Sequence, residues 1–368
     1  MAPEKQSNTE TPSVEHPPFC DDEWSPLHEV IVGRAEHSCF PPEPSHMMKT
    51  VCPSEFAHEF RPDNPFPPSV VANASFELDN LARVLESHGV KVHRPENVNW
   101  EVISGYTGAM ARDGLMVVGN HIIESCYAWK CRRNEIELAY GPLLSKLAQR
   151  GFKIIRAPAP PDPDTIYDGC DIYNGEGVAN FKGPKKGDQT TWAINNSRPA
   201  FDVADFVRFG KTVFAQLSNV TNQAGLDYVA ANLPESYTLR VLNVDSPWAM
   251  HIDTTLVPLR KGLALYDPRI VTEEELRRHP PLDKPEWRLV TLPFKPEGRS
   301  DPPLYMTSPY ICMNVLSLDE KRVFVDEKDE AMAEFFRELG LEPILIPFRH
   351  VQCLGGSFHC ATVDLIRE

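Results

Sequence analysis

The sequence lacks the features that define several large classes of protein. No apolar run is long enough to cross a bilayer, which argues against a membrane-spanning chain. No GxGxxG opens a helix after a strand and no GxxxxGK[ST] is present, so nucleotide-binding folds lose support. The formal net charge is −15 and no Lys/Arg cluster stands out, which argues against a nucleic-acid partner.

The cysteine spacing and the N-terminal residues exclude further alternatives. The nine cysteines form no CxxC pair and no zinc-ligand spacing, so neither a disulfide framework nor a structural zinc site is predicted. Residues 1–18 have neither the apolar core of a signal peptide nor the Arg-rich, acid-poor character of a presequence. We therefore expect a disordered leader over residues 1–18, one folded domain over residues 19–368, and a cytosolic protein.

A unit of helix, glycine and strand recurs along the chain. In "FELDNLARVLESHGVKVHRP", Gly89 is placed to end a helix whose apolar face contains Leu78, Leu81, Ala82 and Leu85. The same pattern recurs at Gly151 and at Gly340, each followed by a short apolar strand. Paired strands precede these helices, with a hairpin signal at Gly119-Asn120. Repeated strand–strand–helix–strand units predict an α/β architecture in a single domain.

The stretch "LGGSFHCATVD", residues 354–364, places Cys360 after a Gly-Gly turn near the end of the chain. This cysteine is an inert buried thiol, a metal ligand or a nucleophile. A nucleophile needs a proton acceptor and a group that orients it. His359 is a poor candidate for that acceptor, because neighbouring side chains of a strand point to opposite faces.

Other short stretches offer partners for Cys360. In "PWAMHIDTT", His251 and Asp253 share one face if the segment is extended. This pair has no evident further ligands for a metal, and it is equally compatible with a surface ion pair. "FDVADFVRFG" supplies Asp202 and Asp205, of which one is placed to cap a helix.

A fourth carboxylate, Asp113, precedes the strand in "MARDGLMVVGN". A cysteine, a histidine and several carboxylates together suit a cationic planar substrate. A guanidinium group fits this description, because carboxylates accept its N–H groups as a fork and its central carbon is an electrophile for a thiolate.

The motifs "EWSPLHEVIVGRAEH", "MARDGLMVVGN", "FDVADF", "FAQLSNVTN", "MHIDTT", "MNVLSLDEKRVFVD" and "GGSFHCATVD" resemble the arginine:glycine amidinotransferase family. The resemblance runs from about residue 23 to the end of the chain. It implies that residues 19–368 form an amidinotransferase catalytic domain. It also implies the pentein fold of the arginine deiminases, a five-bladed α/β propeller of ββαβ modules with pseudo-five-fold symmetry.

The resemblance also implies roles for individual residues. Cys360 would be the nucleophile, His251 the general acid and base, and Asp205 the residue that orients His251. The substrate-binding positions that it implies are Asp113 and Asp253 for the guanidinium, Met250 beside them, and Thr307, Ser308 and Arg269 for the α-carboxylate. Arg269 matches its position if one residue is deleted, whereas direct counting places Ile270 there.

The implied reaction moves the amidino group of L-arginine to a primary amine, with glycine as the default acceptor. Lysine, another amino acid or an aminocyclitol is an alternative acceptor, since Trp248-Ala249 stands where glycine-specific members have Asn-Pro. Two alternatives keep the fold: a deiminase-type guanidine hydrolase and a non-catalytic arginine-binding protein. The resemblance implies no metal, nucleotide or flavin, only small-molecule partners, and a homodimer, which is common in the family.

Overall fold

The computed structural model describes residues 17–42, 54–168, 193–244, 246 and 249–368. Most of the predicted leader, residues 1–16, and Trp248 lie outside the described residues. The division into a leader and a domain therefore stays a prediction. No helix in the described ranges has both the length and the apolar character needed to span a membrane.

The described residues form five three-stranded sheets. Their fifteen strands are β1 (Leu27–Val32), β2 (Lys91–His93), β3 (Leu115–Val118), β4 (His121–Glu124), β5 (Lys153–Ile155), β6 (Phe206–Phe209), β7 (Thr212–Gln216), β8 (Thr238–Leu242), β9 (Leu256–Arg260), β10 (Leu263–Tyr266), β11 (Arg288–Val290), β12 (Leu316–Ser317), β13 (Arg322–Asp326), β14 (Glu342–Ile346) and β15 (Thr362–Arg367). The α-helices are α1 (Pro68–Ser87), α2 (Glu135–Gln149), α3 (Gln223–Asn232), α4 (Glu273–Leu276), α5 (Glu330–Glu338) and α6 (Arg349–Cys353).

Each sheet contains one antiparallel and one parallel pair of strands. In the unit β3–β4–α2–β5, β4 pairs with β3 antiparallel and with β5 parallel. Three further units, beginning at β6, β9 and β12, repeat this order. In the remaining sheet β15 pairs antiparallel with β1, which pairs parallel with β2, so the last strand completes the sheet of the first. The five sheets fit the predicted α/β architecture, and their arrangement as a five-bladed propeller stays a prediction.

Local sequence signals account for these elements. Helix α1 buries its predicted face, including Leu78, Leu81 and Leu85, against strand β1. Gly89 ends this helix region with a φ of +84°, a backbone angle that side chains with a Cβ rarely adopt. The predicted hairpin between β3 and β4 turns at Gly119-Asn120. The helices thus pack one apolar face on each sheet, and this packing stabilises units too short to be stable alone.

Candidate active site

The site is built from the short turns that precede the first strand of each unit. Single 3₁₀ turns at Ala111–Asp113, Val203–Asp205, Ile252–Thr254 and Pro309–Met313 precede β3, β6, β9 and β12. Cys360 occupies the corresponding position before β15. Consecutive 3₁₀ turns contact one another, and β15 contacts the first of them. Side chains that are far apart in the sequence therefore meet in one place.

A cavity of about 560 Å³ lies against these turns. Among the residues predicted from the sequence, its wall contains Asp113, Met250, His251, Asp253, Arg269, Thr307, Ser308 and Cys360. Within the described part of the chain, Asp205 does not contribute to this wall. The cavity therefore brings together all the predicted site residues except one.

The two glycines before Cys360 allow a close approach of the backbone. Gly355 has a φ of +109°, and a Cβ at this position would lie 2.6 Å from the Tyr106 hydroxyl. A Cβ on Gly356 would lie 2.4 Å from the Cβ of Cys360 and 2.5 Å from the sulfur of Met110. Larger residues at either position would therefore displace the loop that carries Cys360.

The thiol of Cys360 is buried and held by two side chains. Asn314 donates from Nδ2 to the sulfur at 3.2 Å, and its Oδ1 accepts the backbone N–H of Cys360 at 3.1 Å. The sulfur also lies 3.2 Å from Oδ2 of Asp253. Burial and the negative charge of Asp253 raise the pKa of the thiol to about 12, although His251 opposes this shift. Without a bound cation the group is therefore a protonated thiol at neutral pH.

His251 lies between two carboxylates. Its Nε2 is 3.2 Å from Oδ2 of Asp202, and its Nδ1 is 3.8 Å from Oδ1 of Asp113. Burial alone would lower the pKa of His251, but the charge of Asp113 and the contact with Asp202 raise it well above its usual value. His251 has a φ of +63°, an uncommon angle for a residue with a side chain. The result is an imidazolium next to Cys360.

The contact with His251 that the sequence analysis assigned to Asp205 is made by Asp202. The carboxylate of Asp205 instead accepts from Gln216 at 2.9 Å, from Ser218 at 2.6 Å and from Thr221 at 2.5 Å. Asp202 has an extended backbone and precedes the 3₁₀ turn, whereas Asp205 ends that turn and faces the last residue of β7 and the segment after it. Burial raises the pKa of Asp205 to about 6 despite these hydrogen bonds and the charge of His251.

Asp113 presents an acceptor atom that receives no hydrogen bond from the described residues. Its Oδ2 accepts from Nη1 of Arg132 at 2.8 Å, while Oδ1 is buried and without a hydrogen bond. Arg132 is itself held by Glu135 through two contacts of 2.7 Å. A buried carboxylate oxygen without a partner is costly, and a cationic N–H donor from a substrate would remove that cost.

Arg269 and Thr307 lie on the cavity wall together with Ser308. The guanidinium of Arg269 lies 3.2 Å from the ring centre of Tyr310 and donates to Asp267 at 2.9 Å. Half of this side chain is exposed, so it can also contact a ligand carboxylate. Thr307 Oγ1 is buried and has no partner among the described residues. Ile270, the alternative position by direct counting, lines the same cavity but cannot bind an anion.

Three residues of this site, Asn314, Asp202 and Arg132, received no role from the sequence, although Asp202 was one of the two candidate carboxylates in "FDVADFVRFG". Asn314 and Asp202 lie in motifs that carried the family resemblance, so the motifs could have indicated both. Arg132 had no such signal, because its role depends on contacts across the fold. The ligand atoms of Asp113, His251 and Cys360 lie within 4.8 Å of one another, close enough for a metal ion. A cation there and a guanidinium would compete for the same atoms.

Comparisons with known proteins identify the family of this chain. No model of a protein family matches the chain. The L-arginine:L-lysine amidinotransferase of Pseudomonas savastanoi pv. phaseolicola is 39% identical, with 96% of each chain covered. The mitochondrial glycine amidinotransferase of Danio rerio is 36% identical, with 97% of this chain and 85% of that protein covered.

Solved structures give the same result. An amidinotransferase of the saxitoxin biosynthetic pathway from Microseira wollei has a TM-score of 0.78 at 33% identity, covering 96% of this chain and 98% of that one. The inosamine-phosphate amidinotransferase of Streptomyces griseus has a TM-score of 0.76 at 27% identity, covering 95% and 97%. A cyanobacterial arginine dihydrolase domain, at 13% identity and a TM-score of 0.59 over 92% of this chain and 98% of that one, shares the fold alone. The chain belongs to the amidinotransferase family.

Proposed function

We propose that this protein transfers the amidino group of L-arginine to the primary amine of an amino acid through a covalent amidino-cysteine. The observation that carries the proposal is the placement of Cys360 beside an imidazolium and two cavity-lining carboxylates, Asp113 and Asp253. A guanidinium held by these carboxylates would present its central carbon to the sulfur. Oδ1 of Asp113, which is buried and receives no hydrogen bond from the described residues, supports this placement.

The two half-reactions use one nucleophile and one proton. The thiolate of Cys360 attacks the guanidinium carbon, and the bond from that carbon to ornithine nitrogen breaks as His251 donates a proton to the nitrogen. The acceptor amine then attacks the amidino carbon and gives a proton back to His251. The carbon–sulfur bond breaks, and the electron pair returns to the sulfur as a thiolate.

Substrate binding would activate the nucleophile. The pKa of Cys360 is raised mainly by burial and by Asp253, so the empty site does not favour the thiolate. A guanidinium between Asp113 and Asp253 would place a positive charge near the sulfur and lower its pKa. The thiol would then lose its proton to solvent when arginine enters.

We assign the orientation of His251 to Asp202, because this carboxylate contacts the imidazole. Asp205, the residue that the family resemblance implied, would act indirectly by holding the chain around Ser218 and Thr221. Its charge also favours a protonated His251. We propose that Arg269, Thr307 and Ser308 bind the α-carboxylate of arginine, and that Met250 packs beside the guanidinium.

Glycine is the acceptor that the resemblance predicts. Lysine is the second candidate, favoured by the 39% identity to an L-arginine:L-lysine amidinotransferase and by Trp248-Ala249 at the Asn-Pro position. Lysine resembles the departing ornithine with one more methylene, so it could use the same carboxylate contacts. An aminocyclitol has no carboxylate for Arg269.

A product assay by mass spectrometry tests the proposal. The protein is incubated with guanidino-¹⁵N arginine and separately with glycine, lysine, 4-aminobutyrate or an amino sugar, beside Cys360→Ala. We expect ornithine and a labelled guanidino product with wild-type protein alone, and the productive acceptor identifies the substrate. Citrulline with ammonia would make the protein a hydrolase, and arginine binding without any product would make it a binding protein.

The family resemblance also predicts a homodimer. Light scattering coupled to size-exclusion chromatography would give the mass in solution. A mass near twice that of one 41.5 kDa chain is expected, and a mass of one chain would contradict the prediction.

A further inference from the structure

His359 immediately precedes Cys360 in the sequence, and both side chains contact the carboxylate of Asp253 in the structure. Its Nδ1 is 2.9 Å from Oδ2 of Asp253, and the sulfur of Cys360 is 3.2 Å from the same oxygen. The other ring nitrogen, Nε2, is 3.4 Å from Oε2 of Glu23. All of these side chains are buried.

We propose that His359 is a positioning residue for the amidino transfer, acting as an imidazolium that links Asp253 to Glu23. The proposal rests on the proposed function, because Asp253 is assigned there to bind the guanidinium. Both ring nitrogens of His359 face carboxylate oxygens, and an ionised carboxylate only accepts hydrogen bonds. Both nitrogens therefore donate, which requires the doubly protonated ring.

Glu23 is a fixed anchor for this imidazolium. Arg208 donates to both of its oxygens at 2.7 Å, and Arg112 lies 3.6 Å away. Arg208 in turn contacts Asp364 on β15 at 2.9 Å. Such a buried network of paired charges fixes the position of each group, because moving one leaves another charge without a partner.

The consequence for Asp253 is an oriented carboxylate. Its Oδ2 is occupied by His359 and Cys360, whereas no described residue donates to Oδ1. Oδ1 is therefore free to accept a guanidinium N–H. The charged or titratable groups facing Asp253 are His359, Cys360 and His251, and those facing His359 are Asp253, Glu23 and Arg112. Burial would raise the pKa of Asp253, but His359 and His251 together hold it below its usual value.

Two amide variants separate the contacts of His359. The amide nitrogen of Asn overlays Nδ1 of a histidine and that of Gln overlays Nε2, so His359→Asn keeps a donor to Asp253 and His359→Gln does not. We expect His359→Gln to lower kcat/KM for arginine about 30-fold, which corresponds to one hydrogen bond to a charged group. His359→Asn should lower kcat/KM less than about 10-fold, because it keeps that hydrogen bond.

The pH profile separates positioning from a general structural role. Asp253 must be ionised to bind a cation, and losing the imidazolium raises its pKa. Both variants lose the charge of the imidazolium, but only His359→Gln also loses the hydrogen bond to Asp253 that holds this pKa down. The acid limb of kcat/KM that reports Asp253 should therefore move to higher pH by about one unit in His359→Gln and by less in His359→Asn. Equal kinetics in the two variants, or an equal loss with an unmoved acid limb, would overturn the proposal.

Arginine binding keeps this test separate from the proposed function. If wild-type protein transfers nothing, the proposed function fails, and the dissociation constant for arginine is then compared by calorimetry in the two variants. Weaker binding by His359→Gln than by His359→Asn supports the positioning role without turnover. Thermal unfolding establishes that both variants are folded, and equal affinities in folded variants would overturn the inference.

Discussion

Oδ2 of Asp202 lies 3.2 Å from Nε2 of His251, and the carboxylate of Asp205, three residues later, bonds to other partners. The carboxylate in contact with the proposed general acid is thus the first aspartate of "FDVADF". Oδ2 of Asp202 also lies 3.5 Å from Nη1 of Arg132, and this ion pair helps to hold Asp202 in place. Substitutions of the two aspartates should therefore have different effects on kcat and on stability.

Asp202→Asn should lower kcat for amidino transfer about 100-fold, because the amide neither fixes the imidazole nor stabilises its charge. The basic limb of the pH–rate profile should also move to lower pH, since His251 loses a raising interaction. Steady-state kinetics from pH 5 to 10 measures both effects. A kcat within threefold of wild type would remove Asp202 from the mechanism.

Asp205→Asn is the matched comparison from the same turn. It should lower the free energy of unfolding by about 1–3 kcal/mol, because one of the donors Gln216, Ser218 and Thr221 loses its acceptor. Its kcat should fall less than that of Asp202→Asn. Chemical denaturation and kinetics on one preparation test this, and the reverse order of kcat would restore Asp205 to the direct contact.

The thiol of Cys360 should be protonated at pH 8 without substrate and ionised when a guanidinium is bound. Its raised pKa, about 12, follows first from burial and then from Asp253, and a bound cation opposes both effects. Thiolate absorbance near 240 nm, taken as the difference from Cys360→Ala, should appear on addition of guanidinium ion. A thiolate signal at pH 8 in free protein would contradict this account.

Arg269→Ala should raise KM for arginine about 30-fold with little change in kcat, because the contact proposed for Arg269 is with the α-carboxylate, at the end of the substrate remote from the reacting carbon. Arg278→Ala is the control, since Arg278 also pairs with acidic neighbours but lies two residues after α4 and outside the cavity wall. If the two variants share one KM, the carboxylate is bound elsewhere.

Glu29→Gln should destabilise the protein at pH 7 and have little effect near pH 2. Burial would raise the pKa of Glu29, but Arg150 and His93 lower it to about 2. A carboxyl group whose pKa is lower in the folded than in the unfolded state stabilises the fold at pH values above the unfolded-state pKa. This contribution is lost as the pH falls from about 4.5 to 2. Because Arg150 is partly exposed and its charge is partly screened by solvent, we expect Glu29→Gln to lower the free energy of unfolding at pH 7 by about 1–3 kcal/mol, measured by denaturant unfolding. Equal losses at pH 7 and pH 3 would exclude this linkage.

Local features of the fold were predictable because short-range physics determines them. The buried face of α1 follows from apolar residues at helical spacing, and Gly89 follows from the left-handed angle that ends the helix. The cavity residues Cys360, His251 and Asp113 were found because each lies in a motif next to a strand. Motif resemblance also indicated the family.

His359 shows where a local rule failed. Alternation of side chains predicted that His359 and Cys360 face opposite sides, but residues 358–361 form a turn before β15. Both side chains therefore reach the same oxygen of Asp253. The alternation applies only to extended backbone, and the sequence could not locate the first residue of the strand.

The sequence by itself determined the repeated α/β units, the motifs next to their first strands and the residue types that suit a guanidinium substrate. Those properties depend on neighbours within a few positions. The tertiary structure alone decided that Asp202 contacts His251, that Arg132 holds Asp113, and that Glu23 and His359 stand behind Asp253. The Asp202–His251 and His359–Asp253 pairings join turns from different units, and Arg132 reaches Asp113 from the segment between β4 and α2 of the same unit. Their distances therefore depend on how the chain packs and not on spacing along it.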